Sequence, residues 1–113
     1  MSEKMQNIAI QIIIHGGEAR TKALEAIRQA RAGDFKKALE LLSFADQSLV
    51  KAHHEQTDLI QGEARGDQNE VTLFMVHAQD HLMNAMTVRD LAEEMIHEIQ
   101  DRITFQKDIQ KKL

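Results

Sequence analysis

The stretch VTLFMVHAQDHLMNAMTVRDLAEEMIHEI, residues 71–99, decides how this chain folds, because it carries two apolar faces rather than one. On a helical projection, Phe74, Ala78, Leu82, Ala85, Ala92, Ile96 and Ile99 align as one stripe. Leu73, Val76, Met83, Thr87 and Leu91 form a second, turned from the first by more than a third of a revolution. The first stripe is the core face of a bundle. The second has no layer to cover it in a small helical monomer, which predicts self-association through this helix. Asp80 falls in the middle of the second stripe, His77 on the border beside Asn84 in angle, and His81 on the intramolecular face.

The rest of the chain supplies two more helices. With 113 residues there is room for one modest domain, and the absence of Pro together with only 5 Gly favours long uninterrupted helices. The string ARAGDFKKA closes one helix at Gly33 and lets Asp34 cap the next; GEARGDQNEV is a polar turn, with Asn69 as the cap before Val71. Helices are predicted at about residues 3–32, 34–64 and 70–108, in an all-α, up-down-up antiparallel bundle, with the charged tail DRITFQKDIQKKL fraying. Helix 1 presents Met5, Ile8, Ile12, Ala19, Ala23, Ala26 and Ala30 on one face, with His15 at its edge. Helix 2 presents Ala38, Leu42, Ala45, Leu49, Ala52 and Ile60, with His53 and Gln56 on the same face.

Composition excludes several function classes. There is no Cys, so neither disulfides nor thiolate metal sites can form. Net charge is −4, with no basic excess to displace counterions from nucleic acid. No apolar run approaches the roughly 20 residues that span a bilayer, and the opening MSEKMQNIAI has no leader pattern, so a cytoplasmic location without membrane insertion is expected.

The polar residues then divide by the burden each places on the fold. His15, His53 and His81, read as core-facing, need only a hydrogen-bond partner apiece. Asp80 is harder to place, since an unpaired carboxylate in an apolar interface costs several kcal/mol. It either reaches solvent or a neighbour's Lys or Arg, or meets its symmetry copies around a hard cation. His77, at the mouth of an interface groove, suits a nucleophile held at one ring nitrogen and open at the other.

VHAQDHLMNAM, taken with IIIHGGEARTKALEA, AGDFKKALELL and KAHHEQTDLIQGEA, resembles the lactose/cellobiose-type IIA component of the bacterial phosphoenolpyruvate-dependent sugar phosphotransferase system, from about Ile8 to Ile99. That resemblance implies a homotrimer with three third helices around the axis. It implies that His77 is the phosphorylated histidine, and that Asp80 from three subunits shares one metal ion, usually magnesium. It further implies that His77 accepts a phosphoryl group from the phosphohistidine of HPr and passes it to a cysteine of the cognate IIB component. IIB then phosphorylates a β-disaccharide such as cellobiose, lactose or chitobiose as the membrane IIC component transports it. The acceptor nitrogen must be unprotonated, and an unperturbed imidazole, with a pKa of about 6.5, meets that near neutrality. Asn84, Gln56 or His81 is expected to hold the other ring nitrogen or to contact the phosphoryl oxygens.

Two other classes compete. A metal-binding bundle would use the i, i+4 pair His77 and His81 with Asp80, although no glutamate stands in the HExxH base position and Asp80 and His81 point about 100° apart. A coiled-coil adaptor would explain the stripes and leave Asp80 without a reason.

Overall fold

The computed structural model describes residues 1–113 as α1 (Glu3–Arg31), α2 (Phe35–Ala64) and α3 (Leu73–Lys112), with no strands. The elements pack into a rod of 67 × 21 × 20 Å, whose length is set by the 40 residues of α3 at about 1.5 Å each. α1 and α3 run parallel and α2 antiparallel to both. α1 packs closely against both partners, whereas α2 and α3 touch far less.

Local chemistry sets the turns. Gly33 has φ of 86°, a conformation that side chains with a Cβ avoid, and Asp34 accepts a hydrogen bond from the Lys37 amide at 3.0 Å, as a helix cap should. The second turn uses Gly66 at φ 105°. α3 begins later than the sequence suggests, at Leu73, capped by Thr72, whose hydroxyl accepts from the Met75 amide at 3.1 Å, in place of Asn69. Glu70, in the irregular stretch just before α3, pairs with the Met1 amino group at 2.8 Å. At the other end α3 continues to Lys112; the tail expected to fray is helical.

The core is built largely from alanine. Ala9, Ala19, Ala23, Ala26 and Ala30 of α1 meet Ala38, Ala45 and Ala52 of α2 and Ala78, Ala85 and Ala92 of α3, all fully buried, with Ile12, Leu82 and Ile96 as the largest enclosed side chains. Small residues let the backbones approach closely. Gly16 takes this furthest: a Cβ placed there would lie 3.4 Å from the His81 carbonyl oxygen and 3.5 Å from the Leu82 Cα.

Three sequence assignments to the core do not hold. His53 is exposed, Ile60 is 60 % exposed and Phe74 is 39 % exposed, with Met75 buried in its stead. The reason is geometric. A straight helix drifts about 20° per heptad against the seam of a shallowly coiled bundle, so Ile60 and Phe74, near helix ends, leave it, whereas His53 lies a full step of about 100° from the fully buried Ala52 and so off the seam. The second stripe of α3 does face outward, with Val76 and Met83 each 49 % and Leu91 57 % exposed.

Between α2 and α3, where apolar contact is thin, Arg89 is the main tie. Its guanidinium donates to both carboxylate oxygens of Asp46, at 2.5 and 3.1 Å, and also to Glu93. These carboxylates, with the Asp46 hydrogen bond foremost, raise the Arg89 pKa well above its already high ordinary value, so its charge is permanent.

Candidate functional site around His77

His77 and His81 lie one turn apart on α3, so their side chains meet. His77 is exposed and His81 half-buried against α1. Their Nε2 atoms stand 3.1 Å apart, with the rings nearly perpendicular at 85° and centroids 4.5 Å apart. At that distance one Nε2 carries a proton and the other presents a lone pair. If His81 donates, His77 keeps its proton on Nδ1 and its Nε2 holds an oriented, unprotonated electron pair. That is the tautomer an imidazole nucleophile needs, although the ring is held at the attacking nitrogen itself rather than at the other one, so the hydrogen bond from His81 must yield as phosphorus approaches.

Gly16 explains why His81 can be so placed. With no Cβ in the way, α1 comes down onto the His81 carbonyl, and the half-buried His81 ring turns its Nε2 toward His77. Of the other predicted supports, Asn84 is exposed and lines a recess with Arg20, Asp80, His81 and Val88. Gln56 is engaged elsewhere. Its Nε2 donates to Gln79 Oε1 at 2.7 Å, tying α2 to α3 rather than orienting His77. His53 lies on α2 beside Asp46, Met86, Arg89 and Asp90, in a different recess, and does not meet His77. His15 faces Glu18 at 3.4 Å, and Glu18 in turn accepts from Ser48 Oγ at 3.3 Å, which satisfies the half-buried ring without joining it to the His77 pair.

Asp80 is exposed on the outward strip, flanked in angle by Val76 and Met83, and makes no ion pair or hydrogen bond within the chain. Nowhere in the single chain do three His, Asp or Glu side chains converge as a ligand set. The metal-bundle alternative, which needs His77, His81 and Asp80 on one ion, therefore has no geometry behind it. Asp80 fits a cation only as one contributor among several copies: an oxygen donor with no competing partner, projecting from an apolar face that copies of the chain would cover. Arg20 escaped the sequence reading, although it stands four residues after Gly16 and so on the same edge of α1.

Residues 7–100 match the family described as PTS system, Lactose/Cellobiose specific IIA subunit. The chain is 55 % identical over 107 residues to the lichenan-specific phosphotransferase enzyme IIA component of Bacillus subtilis, covering 95 % of this chain and 96 % of that one. Its fold superposes with a TM-score of 0.88 on the crystal structure of the PTS cellobiose-specific enzyme IIA from Bacillus anthracis, at 41 % identity and covering 92 % and 95 % of the two chains. It is also similar, with a TM-score of 0.74 and 36 % identity over 88 % of this chain and 97 % of the other, to the IIA component in a solution structure of the IIA(Chitobiose)–HPr complex of Escherichia coli. The chain belongs to the lactose/cellobiose-specific IIA family of the sugar phosphotransferase system.

Proposed function

We propose that this protein is a histidine phosphocarrier: His77 takes a phosphoryl group from phospho-HPr and hands it to the cysteine of a cognate IIB component, for uptake and phosphorylation of a β-linked disaccharide. The observation that carries this reading is the 3.1 Å approach of His81 Nε2 to Nε2 of the exposed His77: with His81 as donor, that His77 nitrogen is unprotonated and its ring is oriented. A IIA relative of similar fold is known in complex with HPr, which supports the donor. No helix is long and apolar enough to cross a membrane, which suits a carrier working in the cytoplasm between HPr and a membrane-bound sugar permease.

The transfer is an in-line displacement through a loose transition state, so positioning and charge do most of the work. As the bond from His77 Nε2 to phosphorus forms, the nitrogen–phosphorus bond of the donor breaks and the donor imidazole leaves with its electron pair. His77 retains the Nδ1 proton throughout. Once Nε2 is occupied, the His81 N–H, previously bonded to that lone pair, is placed to donate to a phosphoryl oxygen. The second displacement, by a thiolate of IIB, reverses these roles.

The exposed strip of Val76, Met83 and Leu91 supports a trimer with α3 at the axis. Asp80 from each of three subunits would hold a hard divalent cation there, magnesium being the one the family resemblance implies, which would offset most of the carboxylates' charge when bound. The relatives serve lichenan, cellobiose, lactose, galactose and N,N'-diacetylchitobiose systems, so the sugar is proposed only as a class.

Intact mass after incubation with phosphoenolpyruvate, Enzyme I and HPr tests the reading. Wild type should gain one phosphate and His77→Ala none. Equal labelling of both proteins would move the nucleophile elsewhere, and no labelling of either would end the carrier reading.

A further inference from the structure

The chemistry proposed for His77 leaves one charge problem open. A phosphorylated side chain carries about −1.5 to −2 charges at neutral pH. His77 would acquire that charge one turn of helix from His81 and beside Asp80, whose carboxylate lines the same recess as His81. A divalent cation shared by three Asp80 carboxylates would still leave a net negative charge there, and the His81 ring, as a single N–H donor, does not balance the phosphoryl group.

The recess contains a further cation. Arg20 of α1 lines it together with Asp80, His81, Asn84 and Val88, and is its only lysine or arginine. The placement follows from Gly16: α1 lies against the His81 carbonyl, Arg20 stands one turn further along the same edge beside Asn84 and Val88, and helical side chains incline back toward the N-terminus, here toward His81 and, one turn beyond it, His77. Arg20 is exposed and forms no ion pair. By contrast Arg89, the arginine that ties α2 to α3, is committed to Asp46 and Glu93. A guanidinium without a partner keeps its planar fork of donors available, and that fork matches two oxygens of a phosphoryl group.

Resting on the reading of His77 as the carrier, we propose that Arg20 is a phosphoryl-contacting residue: its guanidinium reaches from the recess it shares with Asp80 and His81 to the phosphoryl oxygens borne on His77 Nε2. It exchanges no proton and forms no covalent bond. Its part is to offset the charge that arrives on His77 and to aim the phosphorus for the next displacement. Transfer to and from His77 uses the same contact, so both half-reactions depend on it.

The test is single-turnover transfer from phospho-HPr to wild type, Arg20→Gln and Arg20→Lys, varying phospho-HPr to separate its apparent affinity from the limiting rate. Because Arg20 is exposed, both variants should keep the helical circular dichroism of wild type. Loss of a preorganised charged donor should lower the limiting rate of Arg20→Gln by about tenfold or more with apparent affinity unchanged, and the lysine variant should recover much of it. Labelled wild type with an equally fast Arg20→Gln would overturn the assignment while leaving His77 in place. A loss confined to apparent affinity would overturn it too, making Arg20 a docking residue. Failure of wild type to take any phosphate would instead overturn the reading of His77, and the role of Arg20 with it.

Discussion

His81 faces His77 through Nε2, Nε2 to Nε2 at 3.1 Å; on the carrier reading proposed above, its partner before transfer would be a lone pair and its partner afterwards a phosphoryl oxygen. A hydrogen bond of this kind is worth about 1.5–3 kcal/mol when the acceptor becomes charged, or about ten- to hundredfold in rate. His81→Phe should therefore slow labelling of His77 by that factor, and His81→Gln, which retains an N–H donor, should slow it less. Nitrogen NMR of the imidazoles gives an independent reading. In wild type the His77 proton should reside on Nδ1, and in His81→Phe the two tautomers should mix.

The paired glycines of α1 should respond in opposite ways. Gly17 has open space where a Cβ would go, so Gly17→Ala should stabilise the protein by about 0.5–1 kcal/mol through helix propensity alone. At Gly16 an added Cβ already touches the His81 carbonyl, and branching it drives α1 away from α3. Gly16→Val should cost about 1–3 kcal/mol and, by shifting His81, also slow transfer to His77. Thermal melts and single-turnover labelling of the two variants check both halves; a Gly16→Val protein as stable as wild type would refute the close-approach argument.

Arg89 offers a contrast, because its role is confined to the fold. With Asp46 and Glu93 both partly open to water, its loss should cost about 1–2 kcal/mol rather than the larger penalty of a fully buried pair. Arg89→Met should lower the urea midpoint by a corresponding amount without changing the rate at which the folded protein is labelled. Arg89→Lys, which keeps the charge and loses the fork, should fall between.

The features legible in the sequence are those fixed by nearby residues. Gly33 and Asp34 announced the first turn because positive φ and capping are matters of a few bonds, and the outward strip of α3 was visible because Val76, Met83 and Leu91 have no apolar counterpart to meet. What escaped depends on distant partners. Thr72 rather than Asn69 caps α3, and Glu70 just before it meets Met1, 69 positions away in sequence. Ile60 and Phe74 were misplaced by a fixed angular step that the bundle does not keep. The i, i+4 spacing of His77 and His81 was evident, but the direction of their contact was not, and Arg20 became visible only once Gly16 brought its helix over the recess.

Asp80 supplies the last prediction, which concerns assembly. Exposed and unpaired in one chain, it sits on the apolar strip that a trimer would close, so association carries three carboxylates toward one axis. Their mutual repulsion and lost hydration oppose the burial of Val76 and Met83, and a divalent cation relieves both. Chelation should then shift wild type toward smaller species in light scattering at low protein concentration, with magnesium restoring the trimer. Asp80→Leu removes the charge and extends the apolar strip, so its trimer should persist in chelator and melt at a higher temperature. Replacing a buried charge cluster by apolar side chains often stabilises by about 1–4 kcal/mol. Asp80→Asn should also lose the cation dependence, yet gain less, because its amide must still find hydrogen-bond partners at the axis. A wild-type assembly indifferent to chelator, together with a monomeric Asp80→Leu, would show that Asp80 works outside the interface and that another face of the bundle holds the copies together.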